Sequence, residues 1–341
     1  MTNQHITGPA HPTMFETKPV NTVLQEAATA PDPIAFLPNL WNEGEVACVF
    51  ASTNIGKSIY AMQVSAEIAR TRKVLYFDGE MQDKQFQNRY TNEETKEMHV
   101  FPENLLRTVI SSDASYVSDF YDALLGSLES EAIANDVNVL VLDNLSVFCM
   151  RAEKADEAGM FMEKLKALQR RHGWSILVVA HTPKIPEYAH LELNYLAGSS
   201  RLSYFFDDIF ALGRSRRGEN MRYLIQLKYR AGEFTYTEKN VQVFEIVKEQ
   251  DGNTIFKYQG CSTEQEHLHS SESMNRTSEI YVLSDQGKST REIAKALGLS
   301  KSAVDRRLQE RRAQRDVIKE DNHETATCFV INSSDSSQFV S

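Results

Sequence analysis

The segment Val-Ala-Cys-Val-Phe-Ala-Ser-Thr-Asn-Ile-Gly-Lys-Ser at residues 46–58 limits what this chain can fold into more than any other stretch. An unbroken apolar run is what a strand buried on both faces requires. The run leaves its sheet through a short polar turn, and the amphipathic stretch after it reads as a helix. Backbone N–H groups at a helix N-terminus, together with the helix dipole, form a ready seat for an anion. The spacing therefore predicts a strand, a phosphate-cradling loop and a helix, with Ser52, Thr53, Asn54, Ile55, Gly56, Lys57, Ser58 and Ile59 around the phosphates. Lys57 would reach the β- and γ-phosphates of a nucleotide and the Ser58 hydroxyl would ligate Mg²⁺. The pattern GxxxxGK[ST] begins with glycine, and Ala51 stands there instead. Alanine is the smallest replacement and excludes only positive φ, so a modest effect is expected.

Around this segment the chain is organised as alternating strand and helix. Apolar runs at 46–50, 74–77, 137–142 and 176–180 are separated by amphipathic stretches at 58–70, 117–135 and 156–171. That alternation predicts a mostly parallel α/β sheet covered on both faces. After Asp207 the pattern changes: strands at 209–212, 222–229, 241–247 and 254–258 follow with little helix between them, and Asp251-Gly252 marks a hairpin. An antiparallel extension of the sheet is the expectation. The domain reading is a flexible arm at 1–32, an α/β domain at 33–258, a Ser/Glu-rich linker at 259–275, a helical module at 276–315 and a disordered tail at 316–341.

Two acids and a histidine fall where an open α/β sheet places its ligands, beyond the carboxyl ends of strands. Asp143 follows Val139-Leu140-Val141-Leu142, a Walker B pattern, and would hold Mg²⁺ through water. Glu80 ends Val74-Leu75-Tyr76-Phe77-Asp78-Gly79-Glu80 and could orient and deprotonate an attacking water, with Asp78 a rival for that role. His181 ends 176–180 as a third polar residue at the same edge and reads as a sensor of the γ-phosphate.

With Lys57, Glu80, Asp143 and His181 in this order, residues 33–232 resemble the RecA-like ATPases of replicative-helicase kind. The likeness is greatest to the small hexameric plasmid-replication helicases and the related ATPases of mobile elements. The resemblance implies a RecA-like fold, ATP and Mg²⁺, and a homo-oligomer that could be hexameric. It also implies a trans-acting Lys-x-Arg element, which Lys228 and Arg230 match in Leu-Lys-Tyr-Arg-Ala-Gly at 227–232. Two residues apart, these would point the same way on a strand. In the family, loops at the ring centre bind single-stranded DNA. The corresponding stretch here, about 183–203, holds only Lys184 and Arg201 as cations, and a polyanion needs more.

Charge is unevenly spread. The whole chain of 341 residues carries a net charge of -10. Residues 274–315, however, hold ten Lys/Arg against five Asp/Glu, which points to one basic module on an acidic body. Within it, helices are expected at 277–286, 291–297 and 301–308, with Ser289 or Thr290 capping the second and Gly298 in the turn. The run Arg-Glu-Ile-Ala-Lys-Ala-Leu-Gly-Leu-Ser-Lys-Ser-Ala-Val-Asp-Arg-Arg-Leu at 291–308 resembles the helix-turn-helix of resolvases and bacterial regulators. That resemblance implies duplex DNA as partner, with Lys301, Ser302 and Arg306 at base edges and Arg307, Arg311 and Arg312 at phosphates.

The four cysteines (Cys48, Cys149, Cys261 and Cys328) show no metal-ligand spacing and read as reduced thiols. With no apolar leader and no apolar run near the roughly 20 residues that span a bilayer, a cytoplasmic location without membrane contact is expected. Two functional classes follow: a DNA-associated ATPase acting in replication or mobilisation of a plasmid or mobile element, and a sequence-specific regulator that uses ATP as a switch. A clock-type signalling ATPase is a third, for which the helix-turn-helix gives no reason.

Overall fold

A computed structural model of the protein describes residues 17–110, 120–145, 155–196, 202–269, 271–309 and 311. Its centre is a nine-stranded sheet. Six strands are parallel: β3 (Val46–Ala51), β4 (Val74–Asp78), β5 (Leu105–Val109), β6 (Val139–Asp143), β7 (Ser175–His181) and β8 (Asp208–Arg214). Three more extend the sheet antiparallel: β9 (Met221–Lys228), β10 (Val241–Lys248) and β11 (Thr254–Ser262). Their order is β11-β10-β9-β8-β3-β7-β6-β4-β5. A two-stranded ribbon, β1 (Ala35–Leu37) with β2 (Trp41–Asn42), precedes it. The expected mostly parallel α/β sheet with an antiparallel extension is the architecture found.

Strand periodicity explains the unbroken apolar runs. Val46, Cys48 and Phe50 of β3 face one core, which they share with Leu128 of α4 (Phe120–Ala134) and Phe161 of α5 (Ala155–His172). Ala47, Val49 and Ala51 face the other, shared with Tyr60, Val64 and Ile68 of α2 (Lys57–Ala69). Successive residues point to opposite faces, so a strand covered on both sides has no polar positions to spare. Each fully buried Leu, Ile or Val contributes roughly 1.5–3 kcal/mol.

The antiparallel extension curls over α2. Gln63 of α2 makes two hydrogen bonds with the backbone of Phe256 in β11, donating at 3.2 Å and accepting at 2.7 Å. Tyr60 meets Phe244 and Phe256 edge-on, with ring centroids 6.1 and 5.4 Å apart. The turn between β10 and β11 rests on the stretch after α3 (Asp83–Arg89), where Asn92 donates to the Gln250 carbonyl at 2.7 Å.

Three boundaries differ from expectation. The arm contains a helix, α1 (Val20–Thr29), with no buried residue. The segment read as a linker is structured at its start: β11 continues to Ser262, and Glu264, His267 and Leu268 are buried. Polar composition concealed this because the buried groups satisfy one another. Glu264 accepts from the Leu191 N–H at 2.8 Å, and both ring nitrogens of His267 meet serine hydroxyls, Ser215 and Ser262, at 2.6 Å. The first C-terminal helix, α6 (Ser271–Asp285), begins inside the same segment. It packs with α7 (Thr290–Leu297) and α8 (residues 301–309) around Ile280, Ile293, Ala294 and Val304. Ser289 caps α7 in a capping box with Glu292, and Gly298 ends it at φ 63°. The tail at 316–341 lies outside the described residues. Among the described residues no helix is long and apolar enough to cross a membrane.

Candidate functional site

Parallel register brings the sequence-predicted residues to one edge. Ala51 is level with His181, and Asp78 with Asp143, so β3, β4, β6 and β7 all end together. There the chain leaves β3, turns through Asn54 at φ 61° and Gly56 at φ 104°, and enters α2 at Lys57. Ala51 is the last residue of β3 and has no positive φ, which is why alanine is tolerated where the pattern has glycine. Gly56 is constrained twice over. A Cβ at this residue would lie 3.0 Å from Ile246 Cδ1 and 3.1 Å from the Phe256 ring, in a backbone region that side chains disfavour.

Lys57 is buried, and its ammonium donates to the Ala51 and Ser52 carbonyls at 3.0 and 3.1 Å. Burial lowers its pKa to about 8, against the opposing pull of Asp143 and Glu80. Asp143 is buried and accepts a short hydrogen bond from the Tyr76 hydroxyl. Burial raises its pKa from the ordinary aspartate value, opposed by the Tyr76 and Ser58 hydroxyls and reinforced by Glu80 and Asp78. Its other oxygen, Oδ1, is buried with no hydrogen-bond partner. A buried carboxylate oxygen without a donor, beside a serine hydroxyl, fits the hard-oxygen demand of Mg²⁺.

Glu80, Asn144 and His181 form a second cluster at this edge. The Asn144 amide donates to Glu80 Oε1 in a short hydrogen bond and lies 2.8 Å from His181 Nε2, which is itself 3.1 Å from Glu80 Oε1. Asn144 is fully buried while the Glu80 side chain keeps 46% exposure, so the carboxylate is held on one side and open on the other. Asp78 is used differently. It accepts the N–H groups of Glu80 and Met81 at 3.1 and 2.9 Å and the Arg107 Nε at 2.9 Å. With three hydrogen bonds to its carboxylate and its side chain 1% exposed, Asp78 fixes the turn that leads into Glu80.

Lys228 and Arg230 are not part of this cluster. Lys228 is level with Ile209, and Cys48 is level with Ile209 from the other side, so Lys228 lies about three residues, roughly 10 Å, back toward the opposite edge. β9 ends at Lys228, so the expected strand-type pairing with Arg230 is corrected: Asp207 and its neighbours bring the two cations together instead. Lys228 donates to the Ser203 and Phe206 carbonyls at 2.9 and 2.6 Å, and Arg230 pairs with Asp207 at 2.6 Å while keeping 72% exposure. Burial lowers the Lys228 pKa, and Arg230 adds to the effect.

In the C-terminal unit Lys301, Ser302 and Arg306 are exposed on α8 and Arg307 is half-buried. Arg311, expected to meet phosphate, is corrected: its guanidinium binds both Asp285 oxygens at 2.8 and 2.7 Å and lies 4.6 Å over the Tyr281 ring. A bidentate, stacked guanidinium clasps α8 to α6. Arg312 lies outside the described residues, as does Arg201.

Sequence reasoning missed Asn144, although its position directly after the Walker B aspartate was a signal. It also missed Arg222, which donates to the Ile55 carbonyl at 2.8 Å from across the sheet. No local pattern announces that contact.

A family model described as an AAA domain matches residues 10–187. Among solved structures, a KaiC-like protein of the hyperthermophilic archaeon Pyrococcus horikoshii aligns at 14% identity with a TM-score of 0.47, covering 63% of this chain and 90% of that one. No curated protein matches the chain.

Proposed function

Since the chain belongs to the AAA-domain family and folds as a RecA-like P-loop ATPase domain, we propose that it hydrolyses ATP as an oligomeric, DNA-associated motor or initiator in replication or mobilisation of a plasmid or mobile element. The observation that carries the reading is the convergence of Lys57, Asp143, Glu80, Asn144 and His181 on one sheet edge.

Each residue has a definite task there. The α2 N-terminus and Lys57 bind the β- and γ-phosphates. Mg²⁺, held by the Ser58 hydroxyl and Asp143, would supply charge neutralisation on the phosphate oxygens. Glu80 orients the attacking water and takes its proton on the open side of the carboxylate. Asn144 and His181 hold the other side, and His181, joined to Glu80, links γ-phosphate occupancy to the base. Lys228 and Arg230 lie away from their own phosphate loop, and the proposal has them serve a neighbouring subunit's transition state. The C-terminal three-helix unit would bind duplex DNA through Lys301, Ser302, Arg306 and Arg307.

One observation favours a second reading, an ATP-switched regulator. Lys228 and Arg230 are held by groups of their own chain, and a switch needs no finger in trans. Steady-state ATP hydrolysis without DNA, with duplex and with single strands separates the two, with Lys57→Ala as the blank. Stimulation by single strands supports the motor. Nucleotide binding with negligible turnover in all three supports the switch, and undiminished hydrolysis by Lys57→Ala removes the site assignment altogether.

A further inference from the structure

Arg214 and Arg222 stand directly opposite each other where β8 and β9 pair. Both lie on the face that covers α2, since Leu212 and Leu224, two residues away on their strands, belong to that core. Like charges facing across an antiparallel pair repel. Among the described residues neither arginine has an ion pair. Arg222 is 6% exposed, yet its guanidinium meets only carbonyls, those of Ile55, Glu219 and Met221 at 2.7–2.9 Å. Burial and, after it, the facing Arg214 charge lower its pKa to about 10, with the Glu219 charge offsetting part of the shift. A buried cation without a paired counter-charge is costly. Here the cost is located, because the Arg222 Nε holds the carbonyl of Ile55, the loop residue before Gly56.

We propose that Arg222 is a positioning residue for the phosphate loop and that Arg214 and Arg222 together form a cationic seat whose missing counter-charge is the polyphosphate of the bound nucleotide. The seat lies in the same subunit as the loop it supports, unlike Lys228 and Arg230. It explains why a repulsive pair sits at a strand end that abuts the phosphate loop: the repulsion weakens the nucleotide-free state and is relieved on binding. The inference rests on the nucleotide-binding reading above.

The test is thermal unfolding and equilibrium binding on the full chain with ATP, ADP and inorganic triphosphate, comparing Arg214→Ala, Arg222→Lys and Arg222→Met with the parent. Without nucleotide, Arg214→Ala should match the parent's Tm or exceed it, because a repulsion has been removed. With ATP it should gain less than the parent, its affinity falling about tenfold, the size of one charge-assisted contact. Its affinity should also depend less on salt. Arg222→Lys keeps the charge but not the planar fork, so it should bind better than Arg222→Met and worse than the parent. A merely structural arginine would do the reverse, lowering the nucleotide-free Tm of Arg214→Ala and leaving the ATP-induced rise unchanged, and that outcome overturns the proposal. Binding by the parent that Lys57→Ala abolishes but all three arginine variants retain also overturns it and leaves the ATPase reading intact. Absence of binding in the parent defeats the ATPase reading itself.

Discussion

Replacing Lys57 by methionine should stabilise the nucleotide-free protein at neutral pH. Burial lowers the lysine pKa from 10.5 to about 8, and a pKa lower by one is worth about 1.36 kcal/mol. The charged form therefore costs the fold up to about 3 kcal/mol. Because the folded value lies below the unfolded one, the cost is present in full below about pH 8, declines between there and 10.5, and is absent above. Methionine removes it but deprives the Ala51 and Ser52 carbonyls of a donor, at about 1 kcal/mol each or somewhat less. A net gain of roughly 1–2 kcal/mol remains, which at about 2–4 °C per kcal/mol for a domain of this size gives a rise of roughly 2–8 °C in Tm. Above pH 10 the sign reverses, since only the lost hydrogen bonds are left. Thermal unfolding from pH 7 to about 11, with and without ATP, reads both effects. ATP should raise the Tm of the parent by mass action and leave the variant unmoved. A variant less stable than the parent at pH 7, or a difference that stays flat across the range, would refute the reasoning.

Other consequences are equally direct. Glu80→Gln should bind ATP as the parent does while turnover falls about 10²–10⁴-fold; undiminished turnover would move the base elsewhere. Mixing inactive Glu80→Gln with inactive Arg230→Ala should recover part of the hydrolysis, since some neighbouring pairs then unite an intact base with an intact finger; no recovery at any ratio would place Arg230 outside the reaction. Arg311→Ala should loosen the C-terminal unit in hydrogen exchange by removing its clasp to Asp285, whereas Lys301→Ala and Arg306→Ala should reduce duplex affinity without that loosening. The opposite assignment of effects would make Arg311 the contact residue and the α8 surface a bystander.

The parallel core was legible in the sequence because doubly buried strands cannot hide: β3, β6 and, up to its last residue His181, β7 are buried throughout and appear as plain apolar runs. β5 was not, because it lies at the sheet edge and tolerates Arg107 and Thr108 in its middle. The candidate site divides similarly. Lys57, Glu80, Asp143 and His181 were readable because each sits at or just beyond a strand end, and parallel strands of one sheet end together. Arg107 and Arg222 were not, because they act through contacts 29 and 167 residues distant in sequence. Asp78 and Glu80 differ in exposure, 1% against 46% at the side chain, which no local pattern in the sequence announces. Arg311 shows the limit of charge patterning: an arginine in a basic module is an intramolecular clasp when an acid on the adjacent helix comes within reach.

The hairpin folded over α2 also sets a timetable. The loop that begins at Ala51 is held in shape by Phe256, and Gln63 and Phe256 are 193 residues apart. At about 5–20 residues per second, a growing chain needs roughly 10–40 s to travel that far. Throughout this interval the phosphate-loop segment exists in full while the wall against which Gly56 packs has not been made. If the loop binds nucleotide as proposed, the site has its full packing only after the last strands have been made.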